Sequence, residues 1–397
     1  MSGTLGKILF FALLATFPLG LLVRLRLATN IYITPQDILV FLLFVLTVTK
    51  FFRKSRPIFS DKFIFFQLLF LLIGGLSLIV SSFLHGEINL LVSFLYLLRY
   101  IFYLSLLNVG NLFEKTGAER KILTLTGIAV LLLGYLQYFL YYDLKYLYYY
   151  GWDNHLYRLF SSFLDPNYAG VFYSLFFIFI FSPVLYLRIK QSYRELVLSF
   201  FTVIALYLTY SRTALIALLA GIVSIAVLKG KIRVLLLALA AFSILLVTLS
   251  DTSIEGLNPL RTASSIERVI SAKEAWQIFT ESPLIGSGFN SYRYTMIRYG
   301  FRNPTGASLS NADAGTDNSF LFVLATSGIF GFAFFALSYI FLLRKLYSER
   351  GTIGIIPLCL VISFLAASLF LNVLFYTPIL TFIFITISLR KRIFGKT

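Results

Sequence analysis

The chain has 397 residues, of which 59% are hydrophobic and 13% charged, about half the charged share of an ordinary soluble domain. A mean hydropathy of +0.87 excludes a soluble globular protein, because apolar runs recur from one end of the sequence to the other. The formal charge of +17 would suit a nucleic-acid binder. In a chain this apolar it is what Lys and Arg flanking helices on one side of a membrane produce, so no nucleic-acid partner is expected. The composition implies an all-α, polytopic integral membrane protein built as a single membrane domain over residues 1–397.

In chain order, the first apolar run, roughly Leu5 to Val23, is followed by Arg24 and Arg26. A cleaved signal peptide carries its basic residues ahead of its apolar core; here they follow, which predicts an uncleaved first span. Runs of about 17–25 apolar residues are long enough to cross the hydrocarbon core. Twelve are expected, at 6–23, 37–52, 63–84, 89–110, 121–142, 167–187, 195–210, 213–228, 233–250, 318–343, 353–372 and 374–389. The joints at Tyr210–Thr213 and Leu371–Val373 are tight, and either could belong to one long or re-entrant element. Counting Lys and Arg on alternate sides puts 22 on the side of the N-terminus and 11 on the other, so both termini are expected in the cytoplasm. Arg99 is left near the middle of a span. The single cysteine, Cys359, sits in an apolar run and reads as a packing residue.

On the outer side, Tyr142 to Asn167 is rich in tyrosine, and residues 251–317 form the large loop between spans nine and ten. Loops that long are usually functional or disordered, and this one has the signals of order. Ser264-Ser265-Ile266-Glu267 reads as a capping box. Ile266, Val269, Ile270, Trp276 and Phe279 recur at helical spacing, predicting an amphipathic helix lying across the bundle. Pro283 with Gly286 and Gly288 ends that helix near Ser282.

Ionisable groups at membrane depth are candidates for function. All 17 acidic residues fall at span edges or in loops, which weighs against ion-coupled transport. The basic candidates are four. Arg212 sits at the tip of the Tyr210-Ser211-Arg212-Thr213 turn, where it could equally snorkel to headgroups. Arg158 precedes Asp165-Pro166-Asn167, where the plainer account is a surface arginine with Asp165 capping the next helix. Arg268 lies in the first turn of the loop helix, where the macrodipole disfavours a cation. Arg99 lies among Tyr96, Tyr100 and Tyr103, as a hydrogen-bonded structural arginine would. Three outer arginines match an anion with more than one phosphate, and a hydrophobic bundle implies that this ligand carries a lipid tail. Trp152 and Tyr148 to Tyr150 could stack on sugar rings or form an interfacial belt. Asp317 could be a helix N-cap or a general base on a sugar hydroxyl. No P-loop, HExxH or Cys/His cluster is present, so no metal or cofactor is expected.

Tyr210-Ser211-Arg212-Thr213-Ala214-Leu215, running into a helix with Gly221, resembles the signature of the bacterial O-antigen ligase and polymerase superfamily. Arg158 before Asp165-Pro166-Asn167, Arg268 with Trp276, and Pro283-Leu284-Ile285-Gly286-Ser287-Gly288 resemble its further segments in order. Asp317-Asn318-Ser319-Phe320, then Gly328 and Gly331, resembles the start of its following helix. The resemblance covers about residues 150–345. It implies a multi-pass protein of the bacterial plasma membrane whose site faces the periplasm or outside. There it would transfer glycan from an undecaprenyl-pyrophosphate donor to a glycan or lipid-linked acceptor. It also implies that Arg158, Arg212 and Arg268 hold the pyrophosphate, with Asp317 able to take the role of base; Tyr210, Ser211, Asn318, Arg99 and Trp152 are candidates for supporting residues. Ligases of the family carry His-Asn where this chain has Asp317-Asn318, which favours a polymerase over a lipid A-core ligase. The rival readings are a flippase for lipid-linked oligosaccharides, which would want cations distributed through its spans, and a scaffold of polysaccharide assembly, which would leave the outer arginines without a task.

Overall fold

The computed structural model describes residues 2–28, 31–54, 61–85, 89–146, 152–182, 192–230, 232, 236, 263–302, 314–349 and 351–395. Its helices are α1 (Ser2–Thr16), α2 (Pro35–Lys54), α3 (Lys62–His85), α4 (Leu90–Leu104) and α5 (Glu119–Leu140). They continue with α6 (Pro166–Phe181), α7 (Tyr193–Leu208), α8 (Arg212–Leu228), α9 (Ala263–Glu281) and α10 (Tyr292–Arg298). The last four are α11 (Ser319–Ser348), α12 (Thr352–Ser368), α13 (Thr377–Ser388) and α14 (Arg390–Phe394). Five segments, within α2, α3, α5 and α11 and over Leu90–Asn111, are long and apolar enough to cross a membrane, with shorter apolar helices beside them. The chain is thus a multi-pass membrane protein of mostly helical structure. Eleven of the twelve expected runs overlap described helices, and of the run at 233–250 only Leu236 is among the described residues. Both tight joints are true turns between separate helices.

One departure from an all-helical chain is a small antiparallel hairpin, β1 (Leu25–Ala28) with β2 (Ile31–Ile33). The first helix gives way to a 3-10 turn over Phe17–Leu19, so the apolar run does not continue as helix to Val23. At Gly20 the backbone takes φ 51°, and a Cβ would strike Ser162. Only glycine fits that close approach.

The centre of the bundle is α6. From Ala169 to Ile180 every side chain is buried, as expected of a helix that is hydrophobic all round. Small residues let its neighbours approach: Gly170 meets Ala214 of α8, Gly127 of α5 lies on the Phe176 ring, and Gly221 of α8 lies on Ile178. Such residues are what close helix packing in lipid requires. α8 and α12 pack on α6, while α3 runs along α11.

α11 is broken at Gly328, where φ is 64° and ψ −170°. The Pro283–Gly288 loop enters the break and replaces the lost helical bonds. The Ile329 amide donates to the Pro283 carbonyl (2.8 Å), the Ser287 amide to Ala325 (2.9 Å) and the Gly288 amide to Thr326 (3.1 Å). Irregular backbone at membrane depth is tolerated when protein supplies the missing partners. The expected helix end near Ser282 is therefore correct, since α9 stops at Glu281.

The start of α9 differs from expectation. The chain is already helical at Ala263, the first described residue of this stretch, so Ser264 is inside the helix rather than its cap, and Arg268 lies beyond the first turn. The orientation differs too. Ile266, Val269, Ile270 and Trp276 are exposed, whereas Ala275 and Ile278 are buried against α11. The helix is apolar on both faces, so the stripe seen in the sequence was not the one that packs.

Arg99 has a structural task. Its Nε and Nη2 donate to the two carboxylate oxygens of Asp37, each at 2.7 Å. Tyr103 and Thr34 also donate to Asp37, which ties α4 to the first turn of α2.

Candidate active site

Three helix N-termini meet in one hydrogen-bonded chain. At α6 the cap is Asp165, whose carboxylate accepts from the Asn167 amide at 2.6 Å and the Tyr168 amide at 3.4 Å. At α8 the cap is Ser211, which accepts from the Ala214 amide and donates to Asn167 Oδ1 at 3.0 Å. At α11 the cap is Asn318, which accepts from the Phe320 and Leu321 amides at 2.9 and 3.0 Å. α9 lies across these ends. Arg268 Nη2 donates to Thr213 Oγ1 at 3.1 Å, and Ser271 bonds Thr316 at 2.9 Å and accepts from the Asp317 amide at 3.4 Å. Each N-terminus carries partial positive charge and amides without helical partners, so their convergence favours an anion.

The turn between α7 and α8 is fixed by Arg158. Its Nε donates to the Thr209 carbonyl at 2.9 Å and its Nη2 to the Tyr210 carbonyl at 3.5 Å. This buried arginine holds Tyr210 in a left-handed conformation, φ 49°, which is uncommon for a non-glycine residue. Tyr210 in turn delivers Ser211 to the cap and half-buried Arg212 to the first position of α8. His155 lies 4.0 Å from Asp165.

Asp317 does not cap α11; Asn318 does. The structural account of Asp317 as a cap is therefore overturned, and its carboxylate sits among Arg268, Asp165, Glu267 and Asp153. Burial pushes its carboxyl above the ordinary range, Arg268 opposes this, and the neighbouring acids add to it. Burial also raises Asp165, against its cap amides and Arg158.

The structure thus gathers Arg158, Tyr210, Ser211, Arg268, Asp317 and Asn318 about the helix ends and places Arg212 at the same turn. Arg99 belongs to the ion pair already described. Trp152 faces Arg24, whose guanidinium lies 5.2 Å from its ring and 4.6 Å from that of Tyr32. Tyr148 to Tyr150 lie outside the described residues. Sequence reasoning missed Thr213, Ser271 and Thr316, whose hydroxyls join the ends. It also missed Tyr168, which donates to the Asn372 carbonyl at 3.2 Å and stacks on Tyr376 at 3.9 Å between ring centres. No periodicity marks hydroxyls of this kind.

Comparison with known families bears on the class. Residues 197–336 match the O-antigen ligase family. The matched segment runs from α7 through the first part of α11, and so contains the α7–α8 turn, Arg268 and Asp317. It supports the resemblance to the O-antigen ligase and polymerase superfamily, and with it a glycan-transferring role at a membrane on lipid-linked glycan substrates. No curated protein matches the chain.

Proposed function

We propose that the protein transfers or polymerises glycan from an undecaprenyl-pyrophosphate donor at the outer face of the bacterial plasma membrane. The observation that carries this reading is the meeting of three helix N-termini with Arg268 and Asp317 in one hydrogen-bonded cluster. Fixed dipoles and guanidinium groups stabilise charge that develops on a leaving group. In the reaction, an acceptor hydroxyl oxygen attacks sugar C1 and the bond from C1 to the pyrophosphate oxygen breaks. Asp317 takes the hydroxyl proton, and the lipid pyrophosphate leaves with the electron pair of that bond. Arg212 and Arg268 face the phosphates, while Arg158 holds the turn that presents Arg212 and adds its own charge. Cations in these roles would let the step proceed without a divalent metal. An aspartate in place of the family's histidine favours a polymerase over a lipid A-core ligase.

Against the flippase reading stands Arg99, the mid-span cation on which it would rest. Its guanidinium is bound to Asp37 on both forks, leaving it poorly placed to meet a passing anion.

The test is lengthening of a lipid-linked oligosaccharide by purified protein in nanodiscs containing EDTA. Longer products are expected, with their length and yield reduced in Arg212→Ala and Arg268→Ala. Products unchanged in both variants would overturn the arginine assignment. Transfer only to a lipid A-core acceptor would make the protein a ligase, and transfer to neither acceptor would bring the flippase forward.

A further inference from the structure

The hairpin that follows the first helix carries a cation with no counter-charge among the described residues. Arg24 stands one residue before β1, and Arg26 lies opposite Tyr32 in the pairing with β2. Side chains alternate along an extended chain, which puts positions 24 and 26 on one face of the hairpin. Arg24 is half-buried, and its guanidinium lies over the rings of Tyr32 and Trp152, 4.6 and 5.2 Å from their centres. Such contacts engage the flat face of a guanidinium and leave the N–H donors on its edge. Among the described residues, none of those donors reaches a carboxylate or another acceptor. Arg99, Arg390 and Arg392 differ in this respect, each being paired with a carboxylate. Burial disfavours the charged form of Arg24, with Tyr32 and Tyr96 acting against it. A guanidinium edge of this kind matches a planar carboxylate, which it holds by two parallel hydrogen bonds.

The second observation is where this cation stands. The Leu21 amide donates to the Ser162 carbonyl at 3.0 Å, and Leu21 and Trp152 pack on Phe160 and Leu164. Asp165, the cap of α6, follows at once. The residue after Trp152 is Asp153, whose charge is among those acting on Asp317. Backbone and packing thus tie Arg24 to the edge of the candidate site. In the reading above the pyrophosphate is met by Arg158, Arg212 and Arg268, so an anion at Arg24 is a different group of the substrates. Tyr32 and Trp152 are only half-buried, and the ring surface that Arg24 leaves uncovered offers apolar area to the C–H face of a sugar. Exposed Arg26 adds positive charge on the same face. We propose that Arg24, with Tyr32 and Trp152, binds the carboxylate of a uronic-acid residue in the acceptor glycan, so that the chain being extended is an acidic one. The proposal rests on the glycan-transfer reading above.

A pair of oligosaccharides tests it: a tetrasaccharide containing hexuronic acid, and the same molecule with its carboxyl groups reduced to alcohols. The chain has two tryptophans, Trp152 and Trp276, so Trp276→Phe leaves Trp152 as the reporter of binding by its fluorescence. In nanodiscs of phosphatidylcholine this protein is expected to bind the acidic form about tenfold more tightly, the factor that one charge-assisted pair supplies. Arg24→Gln is expected to abolish the preference, Arg24→Lys to weaken it, and Arg268→Ala to keep it. Equal affinity for the two forms, or no response to either, overturns the proposal without recourse to any Arg24 variant. A preference that survives Arg24→Gln but disappears in Arg268→Ala also overturns it and moves the carboxylate to the pyrophosphate site.

Nanodiscs containing phosphatidylglycerol supply the other anion that Arg24 could meet. If the lipid alone changes Trp152 fluorescence through Arg24 and the acidic tetrasaccharide competes for nothing, the cation belongs to a headgroup and the proposal is overturned. Binding requires neither donor nor turnover, so a preference for the acidic form stands even where no glycan is transferred, and its absence counts against the proposal even where transfer is robust.

Discussion

Asp317 and Asn318 are adjacent, yet they divide two tasks that the sequence could not separate. Either could cap α11, and the structure gives the cap to Asn318, leaving the Asp317 carboxylate to its charged neighbours. Its raised carboxyl sets a direction for the pH dependence. A carboxyl above the ordinary range is still protonated at a pH where a common aspartate is ionised, and in that form it accepts no proton. Transfer should therefore fall as pH drops through the raised value and be complete above it. Arg268 pulls the carboxyl down and Glu267 pushes it up. Arg268→Lys should leave the acid limb of kcat/KM close to its place, whereas Arg268→Ala should move it to higher pH. Glu267→Gln should move it to lower pH. The measurement is the pH profile of kcat/KM for the three variants, and coincident acid limbs would remove Asp317 from the role of base.

At the scale of elements, the break in α11 is where sequence and structure inform each other most. Gly286, Gly288 and Gly328 were visible as a motif, but the sequence did not show that the first and last lie against each other. A Cβ on Gly328 would run into the Leu284 carbonyl, and one on Gly286 into the Ser327 and Gly328 amides. Gly328 also occupies a backbone region open to glycine almost alone, at a cost of about 1–3 kcal/mol for other residues. Gly328→Ala should thus lower the melting temperature in detergent and reduce transfer per folded molecule, because α9 and Arg268 hang from this junction. Gly300→Ala is the control for a left-handed glycine in open space, since nothing lies near its would-be Cβ; it should cost stability through backbone strain alone and spare transfer. Helix existence was legible from apolar runs because length and hydropathy determine it. The facing of α9 was not, because a helix apolar on both sides has no single stripe to read. The site's arginines were legible as residues, but the use Arg158 makes of its donors depends on the turn it touches, 51 positions away in sequence.

For the whole molecule, the end away from Asp317 is held by charge. α11 has 30 residues, and a helix of that length, broken once, separates its ends by roughly 40 Å. At the far end Arg390 pairs with Glu349, Lys345 with Asp61, and Arg392 of the short helix α14 with Glu119 at 3.3 Å. Arg392 also donates to the carbonyls of Gly110 and Phe113, so one side chain joins α14 to the start of α5 and the chain before it. Glu119 is 1% exposed. Its carboxylate also accepts from the Thr116 amide at 2.8 Å, so removing Arg392 leaves a buried charge with a hydrogen bond but no counter-charge, which costs more than removing both charges together. Arg392→Met should therefore lower the melting temperature, and Arg392→Met with Glu119→Gln should recover part of the loss. Since the cluster around Asp317 lies at the other end, KM for the donor should not change in the fraction that remains folded. A rise in KM in step with the fall in stability would mean that the two ends are coupled through the bundle, with α11, which spans the distance between them, the element to examine.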